Sequence, residues 1–201
     1  MKRLSEVLLL LVFCNMAHAV TLGEVQRRFG QQNVVRAQFE QQRSVAGIQR
    51  PLRSSGSMLV ARDKGLWWHQ QRPFSMTLVM NDQRMVQTTG KQPPQIITAQ
   101  DNPQLFQFNA LLVALFRADQ AVLEQNFATA FSDLGEGHWR LILTPKASPL
   151  DKLFNSITLQ GSEYLDSIVI DDKQGDRTQI QFSEHDSDPD LSDEEKQRFA
   201  M

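Results

Sequence analysis

Apolar and polar residues alternate along most of the first half of the chain, which is the pattern of strands that bury one face. The alternation runs through residues 34–45, 57–62, 66–70, 75–80 and 83–88. Asp63-Lys64-Gly65 and Asn81-Asp82 join the last four of these segments in pairs, and such residues favour tight turns. The pattern therefore predicts an antiparallel meander with residues 57–70 as its central hairpin.

The second half returns to strands after a helical stretch. Alternating segments lie at residues 130–134, 138–144, 156–160, 165–170 and 178–182. Helices are predicted where apolar residues recur three or four positions apart, which occurs after a Thr21 cap, at 102–116, at 121–127 and in one turn at 150–154. These strands, in two meanders, indicate a β-rich α+β domain built on one curved antiparallel sheet.

The helix predicted after Asn102 is apolar on nearly every side, with Phe106, Leu112 and Phe116 among its residues. A helix with so wide an apolar surface is buried, or it is buried on one side and faces an apolar ligand on the other. We expect it to cover the concave face of the sheet. Methionines of the first meander, such as Met58 and Met76, favour an adaptable apolar surface, although methionine also fills ordinary cores.

Both ends of the chain differ from this pattern. Residues 1–19 have a basic start, an apolar run at 7–13 and a small-residue end at 17–19, which is the pattern of a cleaved secretory signal peptide. The apolar run is shorter than the ~20 residues of a membrane span. Residues 184–201 are rich in Asp and Glu, so we expect an acidic, flexible tail after a domain at 20–183.

Charge and side-chain chemistry narrow the function classes. Removing Lys2, Arg3 and Glu6 with the leader takes the 21 basic and 23 acidic residues to 19 and 22, which predicts no basic surface for nucleic acid. The single cysteine, Cys14, leaves with them, so no disulfide or thiol nucleophile is expected. The histidines lack metal-ligand spacing, and no hydrolase, phosphate-binding or dinucleotide motif occurs. We expect no cofactor, no metal and no enzymatic activity.

Four short motifs resemble a known family when they are taken in order. They are Phe39-Glu40-Gln41, Gly56-Ser57-Met58-Leu59-Val60-Ala61-Arg62, Leu66-Trp67-Trp68 with Pro73 after it, and Leu141-Ile142-Leu143-Thr144-Pro145-Lys146. Behind a signal peptide, this order resembles the bacterial periplasmic outer-membrane lipoprotein carrier (LolA-type) family, over roughly residues 20–183. The helical insert and the acidic residues after Phe182 depart from the family pattern, so the chain resembles a divergent member.

The resemblance implies an unclosed antiparallel barrel whose concave side is covered by helices around an apolar cavity for acyl chains. The cavity-lining residues that we predict on this basis are Phe39, Met58, Val60, Leu66, Trp68, Met76, Leu78, Phe106, Leu112, Phe116, Leu141 and Leu143. Arg62 matches the family arginine that ties the lid shut, and its planar guanidinium suits bonds to carbonyls at the end of a lid helix, which we expect from residues 102–116. The alternative for Arg62 is a surface position at a strand end.

The leading hypothesis is a monomeric periplasmic carrier that shields the acyl chains of a lipoprotein, or of a related amphiphile, between the inner and outer membranes. Its expected partners are those acyl chains, an inner-membrane release complex and an outer-membrane acceptor. Two alternatives stay open. One is a periplasmic module that uses the same half-barrel to sense a lipid or a protein, and the other is a lipid hydrolase whose triad is assembled from distant residues.

Overall fold

A computed structural model describes residues 19–101, 106, 120–148 and 150–200 of the 201-residue chain. The predicted signal peptide up to residue 18 and most of the helix predicted at 102–116 lie outside the described residues. Val20, which follows the predicted cleavage site, is 6% exposed and belongs to the main hydrophobic core. The main core therefore includes the second residue of the described chain.

Eleven strands form one sheet in the described part of the chain, and every neighbouring pair is antiparallel. They are β1 (Val34–Ser44), β2 (Leu52–Ala61), β3 (Gly65–Arg72), β4 (Met76–Met80), β5 (Arg84–Thr89), β6 (Gln95–Thr98), β7 (Phe127–Gly135), β8 (His138–Pro145), β9 (Phe154–Gly161), β10 (Leu165–Asp172) and β11 (Arg177–Asp186). Gly65 begins β3 with a φ of 108°, a conformation that only glycine adopts without strain.

The order of the strands shows how the two meanders join. It runs β6-β5-β4-β3-β2-β1-β11-β10-β9-β8-β7. The first meander, β1–β6, meets the second, β7–β11, where β1 pairs with β11 and Phe39 lies opposite Phe182. The edge strands β6 and β7 do not pair with each other. The sheet is thus a single unclosed antiparallel half-barrel, which confirms the predicted fold class.

Four short helices accompany the sheet in the described residues: α1 (Leu22–Gln31), α2 (Gln120–Asn126), α3 (Leu150–Leu153) and α4 (Asp193–Arg198). α1 begins with a capping box, since the Thr21 hydroxyl accepts the Glu24 N–H and the Glu24 carboxylate accepts the Thr21 N–H. Its buried residues Val25 and Phe29 pack in the main core with Phe39 and Met58 of the sheet. We call the sheet face that carries Phe39 and Met58 the inner face. No helix among the described residues has the length and apolarity to cross a membrane.

The opposite, outer face of the first meander has a smaller core of its own. Val34, Leu59, Ala61 and Val79 are buried there together with Phe199, which directly follows α4. Trp67 and Leu191 pack against the same cluster. The last residues of the chain therefore cover the outer face of β1–β4.

Two sequence predictions differ from the structure. One strand, β6, lies outside the predicted segments, because it has only four residues and directly follows Pro93-Pro94, which were interpreted as a break. A flexible tail was predicted at 184–201, whereas β11 continues to Asp186 and residues 193–198 form α4. Ser192 and Glu195 form a capping box that begins this helix, and buried Phe199 anchors its end.

Candidate functional site

The inner face carries continuous rows of apolar side chains across the first meander. Residues directly opposite each other in neighbouring antiparallel strands lie on the same face of the sheet. One such row, from β1 to β6, consists of Val35, Val60, Leu66, Met80, Met85 and Ile97. The next row consists of Ala37, Met58, Trp68 and Leu78. The first row is therefore apolar from β1 to β6. The second is apolar from β1 to β4 and becomes polar on the last two strands, where Leu78 lies opposite Gln87 and Gln87 opposite Gln95.

The second meander continues this surface. Its inner-face pairs place Leu141 opposite Leu159 and Leu143 opposite Ile157. These residues belong to the same core cluster as Phe39 and Met58. The predicted lining residues of both meanders thus lie on one face of the half-barrel.

The predicted lining residues differ in how well they are covered. Phe39, Met58, Leu141 and Leu143 are at most 4% exposed. The predicted lining residues nearer the β6 edge are only partly buried: Val60, Leu66, Trp68, Met76 and Leu78. Phe106, the one described residue of the predicted insert, is 7% exposed and packs with Met80 and Met85. Leu112 and Phe116 lie outside the described residues.

Aromatic rings connect the two meanders at the centre of the inner face. Trp68 stacks on Phe39 with 3.7 Å between the ring centroids and 25° between the ring planes. The edge of the same indole faces Phe182 of β11, with centroids 6.5 Å apart. Trp67, the next residue along β3, lies on the outer face with Val79 and Phe199. The two tryptophans therefore belong to different cores.

Helix α1 covers part of the inner face and is held on the side of the second meander by an aromatic contact. Phe29 meets Trp139 of β8 edge to face, with centroids 5.7 Å apart. The Trp139 indole N–H donates to the Ser162 carbonyl at 3.0 Å, which fixes the ring. A Cβ added to Gly161 would lie 2.7 Å from the Trp139 ring, so glycine is required where the ring crosses β9.

On the side of the first meander, Arg62 holds the end of α1. Its guanidinium donates to the carbonyls of Gly30 and Gln32, and the latter bond measures 3.2 Å. The Arg62 backbone N–H donates to the Asn33 carbonyl at 2.9 Å. The carbonyls at a helix C-terminus carry partial negative charge, so a cation there is favourable. Its described partners thus lie at the end of α1, whereas the helix expected to be clamped, at 102–116, lies mostly outside the described residues.

Several inner-face residues were absent from the predicted lining. Met80, Met85 and Ile97 complete the row that reaches the β6 edge, and Val25 and Phe29 face the sheet from α1. The sequence signal for Met80 was the two-residue alternation that it shares with Leu78, and Met85 lies opposite Met80 across the following turn. The signal for Val25 and Phe29 was their four-residue spacing.

Two pockets are formed by described residues. One, of about 690 Å³, lies between residues 62–64 and the C-terminal segment and is lined in part by Val34, Leu191 and Phe199. The other, of about 710 Å³, is lined by polar residues at the far ends of β1, β2 and β11. Arg62 is the one predicted site residue that lines either pocket. In the part of the chain that the structure describes, no group of three or more His, Cys, Asp or Glu side chains is placed to hold a metal ion.

Comparison with known families assigns the chain. The family described as "outer membrane lipoprotein carrier protein LolA-like" matches residues 14–187, which is most of the chain. The protein belongs to this family. The family name describes carrier proteins, and the role of a carrier is binding and not catalysis. A search of curated proteins gives no match.

Solved structures with a related architecture have very different sequences. A LolA superfamily protein from Nitrosomonas europaea is 10% identical, with 88% of this chain and 97% of that chain covered and a TM-score of 0.46. A DUF1329 family protein from Desulfovibrio piger is 11% identical over 86% and 92%, with a TM-score of 0.44. A domain from Vibrio parahaemolyticus, provisionally named as an outer membrane lipoprotein-sorting protein, is 7% identical over 90% and 97%, with a TM-score of 0.46. Membership of the LolA-like family therefore rests on the family match.

Proposed function

We propose that this protein is a periplasmic carrier that shields the acyl chains of a lipoprotein, or of a related amphiphile, on the inner face of its half-barrel. The observation that supports this proposal most is the apolar row from Val35 on β1 to Ile97 on β6, since a polar enzyme site or a protein-docking face does not need such a surface. Membership of the LolA-like family supports the same role.

Binding energy is easily obtained on such a face. Moving one CH₂ group from water to apolar surroundings contributes ~0.8 kcal/mol of favourable free energy, so even part of an acyl chain supplies several kcal/mol of binding free energy. The difficult step for a carrier is release. In the structure Phe39 and Leu143 are at most 1% exposed, so the cover over this part of the inner face must move before cargo contacts it.

The cover that can move is α1. It is bonded to the first meander through Arg62 and rests on the second through Phe29 and Trp139. Each neutral hydrogen bond contributes ~1 kcal/mol net, and those from a charged donor contribute more. We infer that cargo displaces α1. When α1 returns to the position in which Arg62 donates to its C-terminal carbonyls, this return favours expulsion of the cargo.

The side from which cargo enters in this proposal is the β3–β6 half of the inner face. Trp68, Met76 and Leu78 are only partly buried there, whereas Phe39 and Met58 nearer the centre are buried. Methionine side chains are flexible and adapt to ligands of irregular shape. An acyl chain that first contacts this half then extends beneath α1 toward Phe39. The inner-membrane release complex and the outer-membrane acceptor remain the expected partners at the two ends of the cycle.

The proposal is tested by asking what the protein carries and where. Protein recovered from bacterial periplasm after expression of the full chain is analysed by native mass spectrometry, and a bound amphiphile is expected. Binding of a fluorescent fatty acid is then compared between Leu78→Asp and Val86→Asp. Both positions are partly buried on neighbouring strands, but Leu78 lies on the inner face and Val86 on the outer face.

Leu78→Asp is expected to weaken fatty-acid binding about tenfold or more, because it places a charge on the apolar face. Val86→Asp is expected to bind like wild type. Equal losses in two folded variants, or no bound amphiphile together with no fatty-acid binding by wild type, would show that the inner face is not a lipid-binding surface.

A further inference from the structure

One end of the half-barrel presents most of the large apolar side chains that are exposed in the described residues. The antiparallel order brings residues 45–51, 73–75, 90–94, 146–148, 150–153 and 173–176 to this end, which we call the loop end. Of the six exposed large apolar residues, four lie here: Ile48 at 52%, Leu52 at 56%, Phe74 at 60% and Leu153 at 48% exposed. The other two, Ile96 and Leu134, lie on the edge strands β6 and β7.

Hydrogen bonds anchor the loops of this end in two groups of neighbours. The Asp176 carboxylate is 7% exposed and accepts the Ala46 N–H at 2.9 Å. The Lys173 N–H donates to the Leu153 carbonyl at 2.9 Å, and the Gly90 N–H donates to the Ser75 carbonyl at 3.1 Å. These bonds hold Ile48, Phe74 and Leu153 outward on anchored loops.

The loop end is also basic. Its exposed Lys and Arg residues include Arg50, Arg53, Arg72, Lys91, Lys152 and Lys173. Two of its acidic residues are already engaged, because Asp176 accepts from Arg43 at 2.8 Å and Asp171 accepts from Arg177 at 2.7 Å. The other acidic residues that the structure describes at this end are Glu40, Glu124, Asp151 and Asp172, fewer than the six exposed cations, so positive charge is in excess among the described residues.

Charge at the opposite end has the other sign. The turns there carry Asp63, Asp82, Asp101, Asp133, Glu136 and Glu163. Against these stand Arg62, Lys64 and Arg84. A protein with separated charge of this kind is oriented by a negatively charged surface, which attracts the loop end and repels the opposite end.

We propose that the loop end docks on the surface of an anionic phospholipid bilayer. Each of its exposed apolar residues has a basic residue within two positions: Ile48 has Arg50, Leu52 has Arg53, Phe74 has Arg72 and Leu153 has Lys152. Apolar side chains flanked by Lys or Arg suit the membrane interface, where the apolar part enters the acyl boundary and the cation meets the phosphates. A basic residue close to an anionic leaflet contributes attraction that an uncharged bilayer does not supply. This surface goes beyond the proposed carrier function and does not depend on a lipid-binding inner face.

The test is flotation of the periplasm-purified protein with vesicles at low salt. Vesicles of equal parts phosphatidylcholine and phosphatidylglycerol are expected to bind it, and vesicles of phosphatidylcholine to bind it far more weakly. Phe74→Ser and the pair Arg50→Glu with Arg53→Glu are each expected to weaken binding about tenfold. The matched controls lie at the opposite end: Leu134→Ser, which is 47% exposed near the end of β7, and Lys64→Glu in the turn after β2.

The controls are expected to bind like wild type, and all variants are expected to keep the wild-type circular dichroism because the changed side chains are exposed. Three results would overturn the proposal. They are no binding to anionic vesicles, binding that does not depend on lipid charge, and equal effects of Phe74→Ser and Leu134→Ser. Fatty-acid binding measured on the same variants separates this outcome from failure of the carrier function, since none of the changed residues lies on the apolar rows of the inner face.

Discussion

Glu195 of α4 accepts two hydrogen bonds from the guanidinium of Arg36 on β1, at 2.6 Å from Nε and 2.9 Å from Nη2. The side chains are 20% and 13% exposed, so solvent screens the pair only in part. The same guanidinium donates to the carbonyls of Asp188 and Asp190, at 2.9 and 2.8 Å. A single arginine thus fixes both the approach to α4 and α4 itself on the outer face.

The ion pair makes stability depend on pH. The hydrogen bond from Arg36 lowers the pKa of Glu195 from 4.5 to about 2. Because the folded pKa is lower than the unfolded one, the contribution is fully present above pH 4.5 and is lost as pH falls toward 2. A shift of this size corresponds to about 3 kcal/mol at most. We expect Glu195→Gln to lower the free energy of unfolding by about 2 kcal/mol near neutral pH, measured by urea denaturation.

The difference between wild type and Glu195→Gln is expected to shrink as pH falls through this window, because wild-type Glu195 becomes neutral as well. Glu194→Gln is the control. Glu194 pairs with Arg198 at 2.9 Å but is 79% exposed, so it is expected to contribute less than ~1 kcal/mol. A pH-independent difference for Glu195→Gln would contradict the assigned role of the pair.

Phe199 provides the apolar part of the same attachment. Its side chain is 8% exposed and packs with Val34, Leu59 and Val79. Phe199→Ala is expected to lower the free energy of unfolding by about 3 kcal/mol, because it leaves a cavity in the outer-face core. Leu134→Ala, at a residue 47% exposed on β7, is expected to change it by less than ~1 kcal/mol. Comparable denaturation curves for the two variants would mean that the C-terminal segment is not packed in solution.

The two-residue alternation was enough to group the residues that share a face, because a strand residue and its cross-strand partner lie on the same side of a sheet. The family resemblance was needed to choose which group faces inward. Once Met58 and Trp68 were placed on one side, Leu66, Met76 and Leu78 followed from the meander. The C-terminal segment could not be predicted this way. Its attachment depends on Arg36, 159 residues earlier in the chain than Glu195, and acidic composition outweighed the Ser192 capping box in the prediction.

The described contacts of Arg62 show a similar limit. Bonds from a guanidinium to carbonyls at a helix end follow from its chemistry, but the bonds to the end of α1 depend on tertiary packing. α1 ends at the start of β1, next to the end of β2 that carries Arg62, because Val34 pairs with Ala61. Register between β1 and β2 therefore brings Gly30 and Gln32 to the guanidinium.

Two glycines are expected to respond in opposite directions to alanine. A Cβ at Gly161 would lie 2.0 Å from the Tyr164 carbonyl oxygen and 2.7 Å from the Trp139 ring. Gly161→Ala is therefore expected to destabilise by about 2 kcal/mol or more and to disturb Trp139 fluorescence. Gly23 lies in α1 with nothing within 4 Å of a Cβ, so Gly23→Ala is expected to stabilise by about 0.5–1 kcal/mol. Thermal unfolding of both variants measures this, and stabilisation by Gly161→Ala would contradict the close approach of β9 to Trp139.

Arg62 is expected to control release more than uptake of cargo. Its bonds to the Gly30 and Gln32 carbonyls stabilise the observed position of α1, which in the proposed carrier excludes cargo from the inner face. Arg62→Leu removes at least these two bonds, each worth ~1 kcal/mol net, so the covered state competes less well with the loaded one. Affinity for a fatty-acid probe is expected to stay the same or to increase, while transfer of a loaded amphiphile to acceptor vesicles slows about tenfold. Lys64→Leu is the control, since Lys64 is an exposed cation in the same turn whose partner Asp63 is 73% exposed. Transfer at the wild-type rate by a folded, loaded Arg62→Leu protein would remove the clamp role and leave Arg62 as a surface residue at the end of a strand.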